Sequence, residues 1–371
     1  MSAAICCLFD SCIHARTANC GSRLFPCLWK TLTLRNDMMT LHHEVPETQN
    51  RGSNMGTEAV IVQIILNGLM LGVQYALIAV GFTLFFGVLD VINFSHGDVF
   101  MLGAFIGLIL INIFSKLGMM TGGTSYVLVL FLIFFLCMLV IGLIGIIFER
   151  IAVKPVSTGP PLMALLATLG LAIAIREAVR LFYPLGSENK QFPELLKPIF
   201  AGTNQAFEIK GVLIRYDNLL IFGIGIAVIV FTSLYINKTK MGLGIRAVAQ
   251  DSEAAMMMGV HRNRVVDVTF LIGSALAGLT GILNGLFYNT VVFNMGAMGG
   301  IIGFSAAVIG GLGNIYGAII GGFVFAMTQA FSAAFIPKGS EYMDVVAFGV
   351  LIIFLVFKPS GLLGEKMYER V

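Results

Sequence analysis

A chain of 371 residues in which 57% are hydrophobic and only 12% charged is too apolar for a soluble domain, where about a quarter of residues are charged. The formal net charge of +3 is too small to mark a nucleic-acid-binding protein, so no nucleic acid is expected as partner. Several apolar stretches reach the ~20 residues that one span needs, which makes this an all-α polytopic membrane protein in a lipid bilayer.

Residues 1–55 stand apart. Five of the six cysteines (Cys6, Cys7, Cys12, Cys20 and Cys27) and the one tryptophan, Trp29, lie there. Their spacing fits no zinc pattern, and Arg16 and Arg23 follow the weak apolar patches instead of preceding a signal-peptide core. The segment reads as a poorly structured N-terminal extension. Either Met55 is the native start and the extension is not translated, or it is a cytoplasmic tail.

From residue 56 on, hydropathy and glycine punctuation predict a first helix over about 59–79 and a second segment over about 80–92. A third helix is predicted over 98–115, then spans at 126–148, 161–182, 218–237 and 266–287, with a last one at 343–357. Arg176, Glu177 and Arg180, near the end of the 161–182 helix, are placed to snorkel to an interface. With the broken segments the total comes to about eight or nine transmembrane or re-entrant helices.

Lys and Arg set the orientation. The 238–264 loop carries five basic residues against two acidic ones, whereas 183–217 carries four of each. The first is therefore placed in the cytoplasm and the second outside. The charge-free run Val268–Pro337 must then enter and return on one side, as a broken hairpin, with its break at Gly310, Gly311, Gly313 and Asn314.

A second polar interruption, Asn93-Phe94-Ser95-His96-Gly97-Asp98, separates two charge-free runs. Ionisable groups within spans are costly and default to function, while an interfacial loop would carry the same letters; spacing leaves both open. Paired interruptions point to two internal half-repeats around a central pathway. On this reading Asn93, Ser95, His96, Gly97 and Asp98, with Gly310, Gly311, Gly313 and Asn314, line the pathway or pin its helix breaks. No catalytic group and no metal site is predicted: Ser95 and His96 are adjacent and point in different directions, which disfavours a nucleophile–base pair. A stand-alone secondary transporter with His96 and Asp98 as its proton or cation site is the rival of different class.

Asn67-Gly68-Leu69, Tyr75-Ala76-Leu77, Ile92-Asn93-Phe94-Ser95-His96-Gly97-Asp98, Glu149-Arg150, Gly244-Ile245-Arg246-Ala247 and Ala306-Ala307-Val308-Ile309-Gly310-Gly311-Leu312-Gly313-Asn314 occur in this order over 56–371. The pattern resembles the LivH-type permease subunits of branched-chain amino acid ABC importers. In the usual N-F-A-H-G-E motif this chain has Ser95 and Asp98 at the two variable places. The resemblance implies a LivM-type permease, two cytoplasmic ATPase subunits and a periplasmic substrate-binding protein as partners, in the inner membrane of a bacterium. It makes 183–217 periplasmic and 238–264 the loop that couples to the ATPases. Permeases for urea, short amides and other amino acids share the pattern.

Within that loop, Arg246–Met258 is rich in alanine and methionine, suits one short helix, and is closed by Gly259 at a C′ position. Arg246, Gln250, Asp251, Ala254, Ala255 and Gly259 are the coupling candidates, with three adjacent methionines as an adaptable docking face. No G-x-x-x-x-G-K-[ST] loop occurs, so ATP is expected to be used by partner subunits, with no cofactor bound by this chain.

Overall fold

In the computed structural model, residues 57–119, 124–156, 159–184, 186–193, 206–209 and 212–364 are described; the N-terminal extension lies outside them. Among the described residues, eight helices are long and apolar enough to cross a membrane, and one shorter apolar helix joins them. In chain order they begin with α1 (Thr57–Leu89), α2 (Ser95–Lys116) and α3 (Thr124–Phe148). A π-helical turn at Glu149–Val153 and a 3-10 turn at Lys154–Val156 lead to α4 (Pro161–Phe182). Then follow α5 (Tyr216–Lys238), α6 (Lys240–Gln250), α7 (Ser252–Met257) and α8 (Arg262–Tyr288). Last come α9 (Met295–Gly310), α10 (Ile315–Phe335) and α11 (Gly339–Phe357).

The predicted division of residues 59–92 into two segments is corrected. Residues 57–89 form one helix of 33 residues, passing through Gly68, Gly72 and Gly81 without a break. Each of these glycines costs helix propensity, about 1 kcal/mol relative to alanine. Each is also where another side chain presses on the α1 backbone: Met327 at Gly68, Phe323 at Gly72 and His96 at Gly81. Packing between helices wins over local propensity.

α1, α2 and α8 make the centre. Gly103 of α2 meets the backbone of Gly278 on α8, Gly281 meets the backbone of Phe100 and Ala104, and Phe85 of α1 fits over Gly273. Small residues let these helices approach closely, as they do in membranes generally. α3, α4 and α5 stand further out, with Leu128, Phe131, Ile173 and Phe231 exposed on the chain's outer surface.

The hairpin appears where it was expected. α9 ends at Gly310; Gly311 (φ +105°) and Gly313 (φ +91°) adopt backbone conformations that an L side chain resists. Asn314 then caps α10, its Oδ1 accepting from the amides of Tyr316 and Gly317 at 3.0 and 3.1 Å. The reversal is tied to the segment after α11: the amides of Leu362 and Leu363 donate to the carbonyls of Ile309 and Gly310, and Asn314 Nδ2 donates to Leu363 O.

At the opposite end of the bundle, short strands lie in the loop after α4 and its neighbours. β1 (Lys190–Gln191) pairs antiparallel with β4 (Thr290–Val291), and β2 (Ala206–Ile209) with β3 (Val212–Arg215).

Residues 246–258 also need correction: they are two helices, not one. Asp251 is extended (φ −156°, ψ 107°) and ends α6, and its Oδ1 accepts from the amides of Glu253 and Ala254 to start α7. A carboxylate three residues from a helix amide competes with helix continuation, and here the capping geometry wins. Gly259, with φ +86°, closes α7 as read from the sequence.

Candidate functional site: a buried helix start

The chain leaves α1 at Leu89, turns through Asp90 in the left-handed region (φ +55°), and re-enters a helix at Ser95. Asn93 organises the start. Its Oδ1 accepts from Ser95 N at 3.2 Å and Ser95 Oγ at 2.6 Å, and its carbonyl accepts from His96 N at 3.3 Å. The Phe94 amide donates to Thr168 Oγ1 of α4 at 3.4 Å. The amides of Phe94, Ser95 and His96 thus each have a local acceptor, which lets irregular backbone persist inside a membrane protein.

The motif lies inside the bundle and not in a loop at its edge. Asn93, Ser95, His96 and Asp98 are all buried. His96 Nε2 lies 3.2 Å from Ile78 O. Ile78 is eleven residues before the end of α1, or about 16 Å back along the helix. A carbonyl only accepts, so Nε2 carries the proton, and Nδ1 is buried without a partner among the described residues. The ring is held edge-on by Phe82 and Phe85, with centroids 4.8 and 5.1 Å away. The Ser95 hydroxyl is engaged with Asn93 and the imidazole with Ile78, so the two form no nucleophile–base pair.

Gly97 is required by close approach. A Cβ there would collide with the carbonyl of Gly296 and lie 2.5 Å from Gly300 Cα, on the first turns of α9. Gly296 in turn sits against the Asp98 carboxylate, where a Cβ would stand 2.6 Å from Oδ1. Two helix N-termini, those of α2 and α9, therefore meet at one carboxylate. Positive ends of helix dipoles favour a negative group there.

The decisive partner of Asp98 comes from α4. Arg176 Nε donates to Asp98 Oδ1 at 3.1 Å and Nη2 to Oδ2 at 3.0 Å, a bidentate pair. The Asp98 side chain is 2% exposed and that of Arg176 25%. This corrects the expectation that Arg176 snorkels outward; only Arg180 and Glu177 do so, paired with each other on the surface. A signal for it was present in the sequence. Ala164, Thr168 and Ala172 recur every four residues on α4, all three are buried, and Arg176 continues that stripe.

The two polar interruptions do not meet. The 93–98 turn packs on the N-terminal end of α9, whereas Gly310–Asn314 packs on the start of α10 and on residues 360–364. A buried polar chain that the sequence reading passed over links three helices. Tyr75 donates to Gln329 Oε1 at 2.7 Å, and Gln329 Nε2 donates to Asp344 Oδ1 at 2.6 Å.

The coupling candidates lie together at the end of the bundle that holds the C-terminus of α1. Arg246, Gln250, Ala254 and Gly259 are exposed, Asp251 is half-buried, and Ala255 is buried. Met257 and Met258 are 87% and 86% exposed, a large apolar surface. The opposite face of α6 and α7 buries Ile245, Val248 and Ala255 in a small core with Phe85, Val88, Val153, Val265 and Phe270. Phe85 belongs to that core and also touches the His96 ring.

The family model for the branched-chain amino acid transport system permease component matches residues 64–355. The chain is 36% identical over 310 residues to the high-affinity branched-chain amino acid transport system permease protein BraD of Pseudomonas aeruginosa, covering 84% of this chain and 98% of that one. It is 33% identical over 311 residues to LivH of Escherichia coli, covering 84% and 97%. It is 26% identical over 300 residues to a probable LivH of Methanocaldococcus jannaschii, covering 78% and 88%. No solved structure matches. A match over this length, on eight apolar helices, makes this chain a multi-pass inner-membrane protein that belongs to the branched-chain amino acid transport permease family.

Proposed function

We propose that the chain forms, with a LivM-type second permease, the membrane pathway of an ATP-driven importer for branched-chain amino acids. Two cytoplasmic ATPase subunits bind and hydrolyse the nucleotide, and a periplasmic binding protein delivers the substrate. On this reading the α6–α7 end faces the cytoplasm and residues 183–217 face the periplasm.

One observation carries the mechanism: the core beneath α6 and α7 contains Phe85, and Phe85 packs on His96 at the buried helix start. The exposed methionines give an ATPase cleft something apolar and adaptable to grip. A displacement of the α6–α7 handle is then transmitted through Val88, Phe85 and Phe270 to the turn where α2 and α9 meet. Packed side chains carry such motion because a close-packed core shifts as a unit. The pathway opens to each side in turn as the handle is pulled and released. Asn93, Ser95, His96, Gly97 and Asp98 hold the moving turn in register, and the 310–314 hairpin anchors α9 and α10 to the same cytoplasmic end.

The test separates docking from transmission. In the assembled importer, Met257→Glu with Met258→Glu is expected to lose the co-purifying ATPase. Phe85→Leu keeps the ATPase bound but lowers the leucine imported per ATP hydrolysed. Normal ATPase recovery with the double glutamate variant would refute the docking surface. An unchanged ratio of transport to hydrolysis in Phe85→Leu would refute the transmission route.

A further inference from the structure

A cavity of about 170 Å³ lies beside the buried turn, between the C-terminal end of α1, the 149–156 turns and the first turns of α4 and α8. Asp90, Asn93, Thr168 and Arg262 supply its polar groups, and Val153 and Ala164 belong to its apolar wall. Asp90 and Arg262 border the same space but form no ion pair, with each other or with another described residue. Arg262 Nε is buried and donates to no described group. Asn93 spends its oxygen on Ser95, while its amide N–H groups have no acceptor among the described residues.

Asp90 is an exposed wall residue, whereas Arg262 Nε is buried. A buried donor without an acceptor, such as Arg262 Nε, is costly. From these features we infer that the cavity is a binding site for a zwitterionic α-amino acid with a small aliphatic side chain, the substrate's last station before the cytoplasm. Arg262 and the Asn93 amide take the carboxylate, Asp90 takes the ammonium group, and the apolar wall takes the side chain. The size agrees: an apolar cavity of about 150 Å³ admits benzene, so this one suits a body of about six carbons and not a peptide. Asn93 is both cavity wall and organiser of the α2 start, so occupancy is read directly by the turn that the handle moves. The inference rests on the transport reading above and adds where this chain holds the substrate.

The experiment uses the assembled importer in vesicles, with the six native cysteines replaced and A164C introduced as a reporter in the cavity wall. The labelling rate by N-ethylmaleimide is measured with and without L-leucine. Leucine is expected to slow labelling at least threefold, whereas 4-methylpentanoate and 3-methylbutylamine, each lacking one charge, slow it less than twofold. Protection is lost on adding R262Q or D90N and kept on adding R264Q, since Arg264 does not line the cavity. V156C, at another wall position, serves as an independent reporter and is expected to behave alike. If leucine protects neither thiol while the same vesicles still accumulate leucine with ATP, the site is wrong and the transport reading stands. Equal protection by 4-methylpentanoate would overturn the zwitterion assignment. Vesicles that hydrolyse ATP but accumulate no branched-chain amino acid would overturn the transport reading itself.

Discussion

Replacing Arg176 by methionine removes the bidentate partner of Asp98 while keeping most of the side chain's bulk. The Asp98 carboxylate, 2% exposed, then faces the bundle with no counter-charge. Removing one partner of a buried ion pair costs about 3–5 kcal/mol. Two features reduce that here. The guanidinium is 25% exposed, so the pair is partly screened by solvent in the isolated chain. The first turns of α2 and α9 also stay beside the carboxylate, each contributing about 0.3–1 kcal/mol. The expected cost of Arg176→Met is therefore about 2–3 kcal/mol. Asp98→Asn, which leaves a guanidinium with access to solvent and an amide oxygen to bond, should cost about 1 kcal/mol. The double variant no longer strands a charge, so it should be more stable than the sum of the singles implies, by about 1–2 kcal/mol. Reversible unfolding of the purified chain in mixed micelles, titrated with sodium dodecyl sulfate, gives all three values. Additivity within about 0.5 kcal/mol would show that the two groups do not stabilise each other and would refute the ion-pair account.

Gly97→Ala should destabilise the chain by about 1–3 kcal/mol, since its Cβ meets backbone of α9 that cannot rotate away. Gly170→Ala on α4, with nothing within 4 Å of the added Cβ, should instead be neutral or stabilising by up to about 1 kcal/mol in the same assay. Asp251→Ala removes the cap of α7 and should cost about 1 kcal/mol locally. The measurable consequence is faster amide exchange over residues 252–258, with exchange in α8 unchanged. Asn314→Ala loses both the α10 cap and the bond to Leu363 O, and should lower stability by about 1–2 kcal/mol while speeding proteolysis after α11.

Much of the fold was legible along the chain. The spans at 161–182 and 218–237 appear within two residues of their expected ends, because hydropathy and the flanking prolines and charges are local properties. The break at Gly310–Asn314 was legible for the same reason: two glycines at positive φ and a capping asparagine act on their own neighbours. Gly259 closing α7 is a third case. The division of 59–92 failed because a glycine within a helix reports either a break or a close contact, and only the contacting partner tells which. At Gly81 that partner is His96. The division of 246–258 was missed because Asp251 has a side chain that serves equally as a helix surface residue or as a cap.

The sequence by itself determined that this is a multi-span membrane protein of one permease family, and it marked two polar interruptions and a methionine-bearing loop. Only the tertiary structure decided what those pieces meet. Asp98 and Arg176 are 78 positions apart, and their pairing depends on how α2 and α4 are rotated about their axes. That rotation is set by small residues such as Gly97, Gly296 and Gly300, which determine how near each helix can come to the next. Hydropathy averages over a helix and is blind to that rotation, so the buried ion pair, the Phe85–His96 contact and the cavity beside Asn93 become visible only when the helices are packed.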